Sequence, residues 1–406
     1  MPLNFANHRT TLSAPPRFFV ERCRNPFDQA PQTVQGTVSN CTLYSPSGRG
    51  IRQHFPVILA ACLLILLTLS TTANAQSRSN AVFQKHKTQV ESAVSRGLDH
   101  LANTQNPNGT FDDSYGRSVG VVSLAGMAFL SAGHTPGYGE YSENIDRCID
   151  YVLSSQRSNG ILDHGDSGHG LMYAHNIATL FLSEISGMVN SEKQDKLERV
   201  LSRATQLILA AQAQPKNEGN TGGWRYKPDS KDSDLSCSGW ALMALRSGKL
   251  NGAAIPDRSI DKAVAYVLRN HHKESGRFGY VDPWGNSETL TGCGLLCLEL
   301  CGFHGTESTY KAGNFILQHR NYIIDRAHEY YANYYNAQAM FQLGGTYWEQ
   351  YADWMYQEYL PKQNPNGSWT NGRVASSYGT AMMILSFTVP YRQLPIYQRD
   401  ETVDED

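Results

Sequence analysis

Residues Gln363 to Trp369 read QNPNGSW; the phrase also stands as QNPNGTF at Gln105 to Phe111 and, reduced, as QRSNGI at Gln156 to Ile161. Proline fixes φ, and asparagine and glycine tolerate positive φ, so the middle of the phrase is a tight turn. The leading glutamine can satisfy backbone groups left open where a helix ends, and the closing aromatic has apolar area to bury. One copy is an ordinary surface turn. Copies at corresponding places are an internal repeat, each a hinge between two packed helices.

Outward from the turns, the flanking segments alternate in character. Before QNPNGTF, apolar positions 90, 93, 94, 97, 98, 101 and 102 form one helical stripe. After it, Val119 to Ala132 (VGVVSLAGMAFLSA) is apolar nearly all round and stops at Gly133. The first helix is expected on an outer surface and the second inside. The same pairing recurs through Ile145 to Leu153 with Gly170 to Leu182, Leu197 to Ile208 with Leu235 to Leu245, and Ile260 to Leu268 with Leu290 to Leu300. It recurs more weakly in Phe315 to Gln318 with Tyr334 to Leu343, and a sixth pair runs from Trp348 through Trp369 to Leu385. Gln105, Gln156, Gln212, His272, Gln318 and Gln363 mark the six outer-helix ends. Amphipathic helices alternating with buried ones need a closed arrangement, with the apolar set as an inner ring. The expected fold is all-α, an α/α toroid of about six helix pairs over residues 76–395, with the function-bearing residues at the end of the inner helices away from the turns.

The remaining chain differs. Residues 1–50 are rich in proline, serine, asparagine and arginine without helical period, which predicts disorder or a start assigned too far upstream. Arg52 and His54 precede the apolar run Val57 to Leu69, and Ala73-Asn74-Ala75 follows. That pattern predicts a signal peptide over 51–75, cleaved after Ala75, and hence an exported, periplasmic or extracellular protein. The alternative is an anchor formed by the uncleaved run, which is short for a membrane span. Residues 396–406 are expected to be an acidic tail, with Asp400 to Asp406 a frayed, solvated end. With 40% hydrophobic residues, 18% charged and a net charge of -2, the composition is globular and offers no basic surface for nucleic acid. Five cysteines remain after residue 75 (Cys148, Cys237, Cys293, Cys297 and Cys301), an odd count without a disulfide framework, and small buried apolar residues explain them.

The turn motif, the alternation and the repeat number together resemble the terpenoid cyclase and protein prenyltransferase superfamily, over roughly residues 85 to 390. More narrowly the chain is similar to exported bacterial single-toroid proteins with prenyltransferase and squalene oxidase repeats, by MYAHNIATLFLSE at Met172 to Glu184 and DLSCSGWALMALRS at Asp234 to Ser247. The resemblance implies an isoprenoid or other apolar, lipid-like ligand in a central cavity. Squalene cyclases protonate an alkene with a D-x-D-D-T-A motif. Here Asp232, Ser233, Asp234, Leu235 and Ser236 keep half of it, and Leu235 removes the neighbouring carboxyl group. Prenyltransferases hold zinc through aspartate, a cysteine two residues on, and a histidine. Ser236 stands at the cysteine position and YYANYY (Tyr330 to Tyr335) near the histidine's, so neither zinc nor another cofactor is expected. Gly292-Cys293-Gly294 opens a thioester motif that Leu295 and Leu296 leave incomplete.

The candidate residues carry two readings each. Asp234 is a general acid or a helix cap. His175 is a proton shuttle or a buried, hydrogen-bonded histidine. Tyr173, Phe181, Trp240, Tyr331, Tyr334 and Tyr378 line a pocket, where their π faces can steady a cation, or fill a core. Glu288, with Thr289 and Thr291, touches a ligand or opens an inner helix. Asp163, His164, Asp166 and His169 could meet a metal but are spaced by glycines, and a mobile loop is the simpler account. Three functions follow: an isoprenoid-binding or isoprenoid-transforming toroid, a non-catalytic envelope binding or scaffold protein with working loops such as Lys216 to Lys231, and a carbohydrate-active α/α barrel.

Overall fold

The structure is a computed structural model that describes residues 81–398. The expectations for residues 1–50, for the signal peptide at 51–75 and for most of the acidic tail lie outside the described residues. Within them are twelve α-helices. The outer set is α1 (81–104), α3 (Ser142–Ser154), α5 (Ser191–Gln212), α7 (Asp257–Arg269), α9 (Glu307–His319) and α11 (Gly345–Tyr359). The inner set is α2 (Val119–Ser131), α4 (Leu171–Glu184), α6 (Leu235–Leu250), α8 (Ser287–Glu299), α10 (Glu329–Leu343) and α12 (Ser376–Phe387).

Sequence pattern decides which set a helix joins. In α3 only Asn144, Ile145, Cys148, Ile149, Val152 and Leu153 are buried, one face of a 3.6-residue period, whereas every residue of α2 is buried. The inner helices pack in a ring, α2 on α4, α4 on α6, α6 on α8, α8 on α10, α10 on α12, and α12 back on α2. That closure makes the fold an α/α toroid. Asp113, ahead of α2, reinforces the seam: its carboxylate accepts from the backbone N–H of Ser377 at 2.7 Å and from both serine hydroxyls at the start of α12.

The repeated turn is the fastener of the outer layer. Each glutamine side chain donates to the carbonyl of its own turn glycine and to a carbonyl of the next outer helix. Gln105 reaches Asn144 on α3 at 3.2 Å, Gln156 reaches Val200 on α5 at 2.8 Å, and Gln212 reaches Ser259 on α7 at 2.8 Å. Gln363 reaches Ala93 on α1 at 2.8 Å and so joins the last pair to the first. The turn glycine lies flat against that neighbour: a Cβ on Gly367 (φ +85) would stand 2.2 Å from the Arg96 carbonyl oxygen. The aromatic is sunk behind the turn. Trp369 is fully buried, donates from Nε1 to the Tyr359 carbonyl at 3.0 Å, and has its backbone N–H taken by Thr380. Trp224 repeats this with Ile208 and Ser238, and Phe278 gives its N–H to Thr291, which is what that threonine does at the head of α8.

Two markers depart from the pattern. In the fourth turn the backbone pairing puts His271, not the expected marker His272, at the glutamine position; His271 is buried and stacked on Phe278, while the His272 ring bonds Ser275. Gln318 is exposed and fastens nothing; a 3-10 turn at Arg320–Ile323 follows, and Trp354 on α11 donates to Asn321 there. The weak fifth repeat is thus joined to α11 by the Trp354–Asn321 hydrogen bond in place of a glutamine bridge.

Two expectations need correction. The turns join outer to inner helices, so they stand at the N-terminal ends of the inner helices, the same end as Asp234, whose backbone N–H donates to the Trp224 carbonyl at 2.9 Å. The end of the inner helices expected to carry function thus lies beside the turns and not away from them. Residues 396 and 397, expected in the tail rather than in the toroid, are buried across the opposite end. There the Ile396 N–H donates to Glu184 at 3.1 Å, the Tyr397 hydroxyl meets that of Tyr334, and Gln342 donates to the Tyr397 carbonyl at 2.9 Å. Among the described residues no helix is long and apolar enough to cross a membrane.

Candidate functional site

The N-terminal end of the inner ring is open and holds a cavity in two adjoining lobes. The larger, about 930 Å3, descends along Gly120, Val121 and Leu124 of α2, Ala174 and Ile177 of α4, and Val374 and Ala375 ahead of α12. The smaller, about 470 Å3, is lined by Tyr226, Ser236, Tyr280, Asn286, Thr289 and Leu290. Tyr173, His328, Tyr331 and Tyr378 line both and form the wall between them. Of the residues nominated from sequence, then, Tyr173, Tyr331 and Tyr378 come together at the cavity. The Tyr173 and Tyr331 hydroxyls stand 3.5 Å apart. Burial first, and the neighbouring charged and phenolic groups after it, pushes the phenols of Tyr173 and Tyr331 well above the usual range, and burial alone raises Tyr378. All three are therefore neutral hydroxyls at physiological pH.

Asp234 stands one layer behind this wall. It is 0% exposed and caps α6: Oδ1 accepts from the Cys237 N–H at 2.8 Å and from the Ser236 hydroxyl at 2.5 Å. Oδ2 has no hydrogen-bond partner and lies 3.6 Å from Nε of Arg225. Burial raises its pKa, with the Ser236 hydroxyl, the Cys237 amide and the Arg225 charge pulling the other way. Arg225 is wedged between the rings of Tyr226 and Tyr280, at 4.9 and 5.2 Å, and also reaches Asp232 at 3.5 Å. Of this cluster, Ser236 and the two tyrosines face the cavity, and the two tyrosine hydroxyls are hydrogen-bonded to each other.

The other nominated residues stand elsewhere. His175 is fully buried between α4 and its outer neighbours: Nδ1 accepts from the Leu162 N–H at 3.1 Å and Nε2 faces the Ala204 carbonyl at 3.1 Å. Burial lowers its pKa to about 4, so it is a neutral structural histidine with Nε2 as donor. Trp240 and Tyr334 are fully buried and stacked at 5.5 Å in the core below the cavity, and neither lines it. Phe181 packs on Gly126 in the same core. Glu288 is exposed at the start of α8 and turned away from the cavity wall. Asp163 is paired with Arg157 at 2.5 Å and His164 with the Tyr151 carbonyl at 3.1 Å. Among the described residues no three His, Cys, Asp or Glu side chains gather as a metal site.

Comparison with known proteins gives fold-level likeness only. No protein-family profile matches the chain, and no curated protein is similar to it in sequence. Among solved structures, a variant of the type II terpene cyclase MstE from Scytonema, in complex with geranylgeranyl dihydroxybenzoate, is 13% identical, covers 76% of this chain and 99% of its own, and has a TM-score of 0.45. A protein from Actinoplanes is 14% identical over 74% of this chain and 99% of its own, with a TM-score of 0.48. At such values the likeness adds nothing to the ring contacts, on which the toroid rests.

Tyr226, Tyr280, Ser236 and Arg225 were missed as site residues. A register signal was present. Tyr226 stands two residues after Trp224 and Tyr280 two after Phe278, the position Asp113 holds after Phe111 and Asn371 after Trp369. Asp113 bonds the head of α12, and Asn371 donates to Glu329 at the head of α10 at 3.2 Å. The residue two beyond each turn aromatic is thus aimed at the inner-helix ends, so aligning the repeats at that position would have found both tyrosines.

Proposed function

We propose that this protein binds an isoprenoid or similarly apolar, lipid-like molecule in the two-lobed cavity at the open end of its toroid. The observation that carries this reading is the cavity itself, a concave chamber lined by aliphatic side chains and converging hydroxyls, with Asp166, His328 and Arg373 also in its lining. A scaffold reading asks for a filled core, and a carbohydrate-active barrel asks for paired carboxyl groups facing a polar cleft. Asp234 faces no cleft. It reaches the chamber only through Ser236, so an acid role would route its proton over a serine hydroxyl to Tyr173, and the chain is here assigned binding without a committed reaction. Export through residues 51–75 belongs to the same proposal, because an exported lipid carrier needs a protected chamber. Native mass spectrometry of the full chain recovered from its own source tests the reading. A stoichiometric, extractable apolar mass supports it; a protein that releases none and takes up none from added lipid overturns it.

A further inference from the structure

We infer that the ligand is an amphiphile with an uncharged, hydrogen-bonding head, seated with its head in the smaller lobe and its apolar body in the larger. This rests on the apolar-ligand reading above and narrows it. The larger lobe is aliphatic where it runs deepest, at Val121, Leu124 and Ile177. The smaller lobe is walled by hydroxyls: Tyr173, Tyr226, Tyr280, Tyr331, Ser236 and Thr289. Phenols present both a flat apolar face and a donor-acceptor tip, which suits an oxygen-bearing head, ring or alcohol, better than a hydrocarbon end.

Charge decides what sort of head fits. Among the described residues no lysine or arginine lines the smaller lobe. Arg225, behind the wall, lies between the Tyr226 and Tyr280 rings with its charge directed at Asp232 and Asp234. The converging N-termini of the inner helices would ordinarily attract an anion. Here carboxyl groups already hold two of those ends, Asp234 capping α6 and Asp113 capping α12, and Glu329 places a third carboxyl group in the first turn of α10. Arg373, at the larger lobe, donates to the Asp325 carbonyl at 2.7 Å. A phosphate or carboxylate head placed in the smaller lobe would meet the phenols, the His328 imidazole and, behind the phenols, the carboxyl group of Asp234. It would lose its hydration with one imidazole, and no lysine or arginine, to answer it.

The test compares three probes that share one farnesyl-type chain: farnesol, farnesyl diphosphate and the saturated hydrocarbon farnesane. Each is titrated to displace the neutral dye N-phenyl-naphthylamine from the full-length protein and from the double variant Tyr226→Phe, Tyr280→Phe, which keeps both rings beside Arg225. Farnesol is expected to displace the dye at least about tenfold more tightly than either other probe, and the double variant to erase about tenfold of that advantage while leaving farnesane unchanged. The inference is overturned if farnesyl diphosphate binds tightest, if farnesane matches farnesol, or if the double variant treats farnesol as wild type does. If none of the three displaces the dye, the apolar-ligand reading falls with it, an outcome distinct from a wrong head preference.

Discussion

The two ends of the inner ring use the same six helices and finish differently. At the N-terminal end the repeated turns brace the outside and the middle stays open, walled by tyrosines that contribute hydroxyls and flat faces. At the C-terminal end no such turns stand among the described residues, and the segment 394–397 folds across the opening. The difference teaches that the ring needs bracing at one end and covering at the other. An end fastened from outside can remain hollow, whereas an unfastened end closes over side chains such as Glu184, Tyr334 and Tyr397.

The largest expected effect breaks the braced end. Trp369→Ala removes a fully buried indole and its bond to the Tyr359 carbonyl, leaving a void under the seam between the last and first pairs. A loss of about 4 kcal/mol is expected in urea unfolding. A loss under about 1 kcal/mol would mean that the turns decorate the ring without bracing it.

The covered end should show itself through pH. Glu184 is buried beside Ser183, Ser247, Tyr334 and Tyr397 with no cation, and burial raises its pKa from the ordinary 4.5 to about 7, opposed by the Ser247 hydroxyl and the Ile396 N–H. The fold thus favours the neutral acid. Its contribution is complete below the unfolded value and is lost as pH rises through about 7. Glu184→Gln keeps the neutral form at every pH, so it should match wild type near the ordinary value and exceed it by up to ~3 kcal/mol at about pH 8. Equal pH dependence in the two proteins would contradict the buried, cation-free account of this end.

Smaller effects sharpen the contrast within the braced end. Asp234→Ala removes the cap of α6 and should cost about 1–2 kcal/mol, whereas Asp234→Asn, which can still cap, should cost less. Urea titration of the pair separates capping from charge. Gln363→Ala should cost about 1 kcal/mol, because it frees two carbonyls, while Gln318→Ala should be neutral within about 0.5 kcal/mol. Comparable losses at the two positions would remove the distinction between fastened and unfastened turns.

How far the sequence led follows from what each residue's surroundings demand. The toroid was legible because burial imposes a period: α2 is apolar throughout and α3 only along one face. Gln363 and Trp369 were legible as structural because their chemistry repeats. Which end held the chamber was misread, since a turn motif and the helix that follows it share an end by simple connectivity. The cavity wall was half legible. Tyr173, Tyr331 and Tyr378 lie near inner-helix starts and were found, but Tyr334, one turn deeper than Tyr331 on α10, and Trp240 on α6 lie in the core, and aromatic character alone does not tell lining from core. His175 reads as a shuttle by type, yet only its partners, the Leu162 amide and the Ala204 carbonyl, show that both ring nitrogens are engaged.

The most direct test of the central claim, that the open end is a chamber for an apolar molecule, is dye binding by Leu124→Trp. Leu124 lines the larger lobe, so the added indole should intrude into its aliphatic part from α2. The account predicts a protein that melts within a few degrees of wild type and binds N-phenyl-naphthylamine at least about tenfold more weakly. A folded Leu124→Trp protein that binds the dye as wild type does would show that the ligand sits elsewhere.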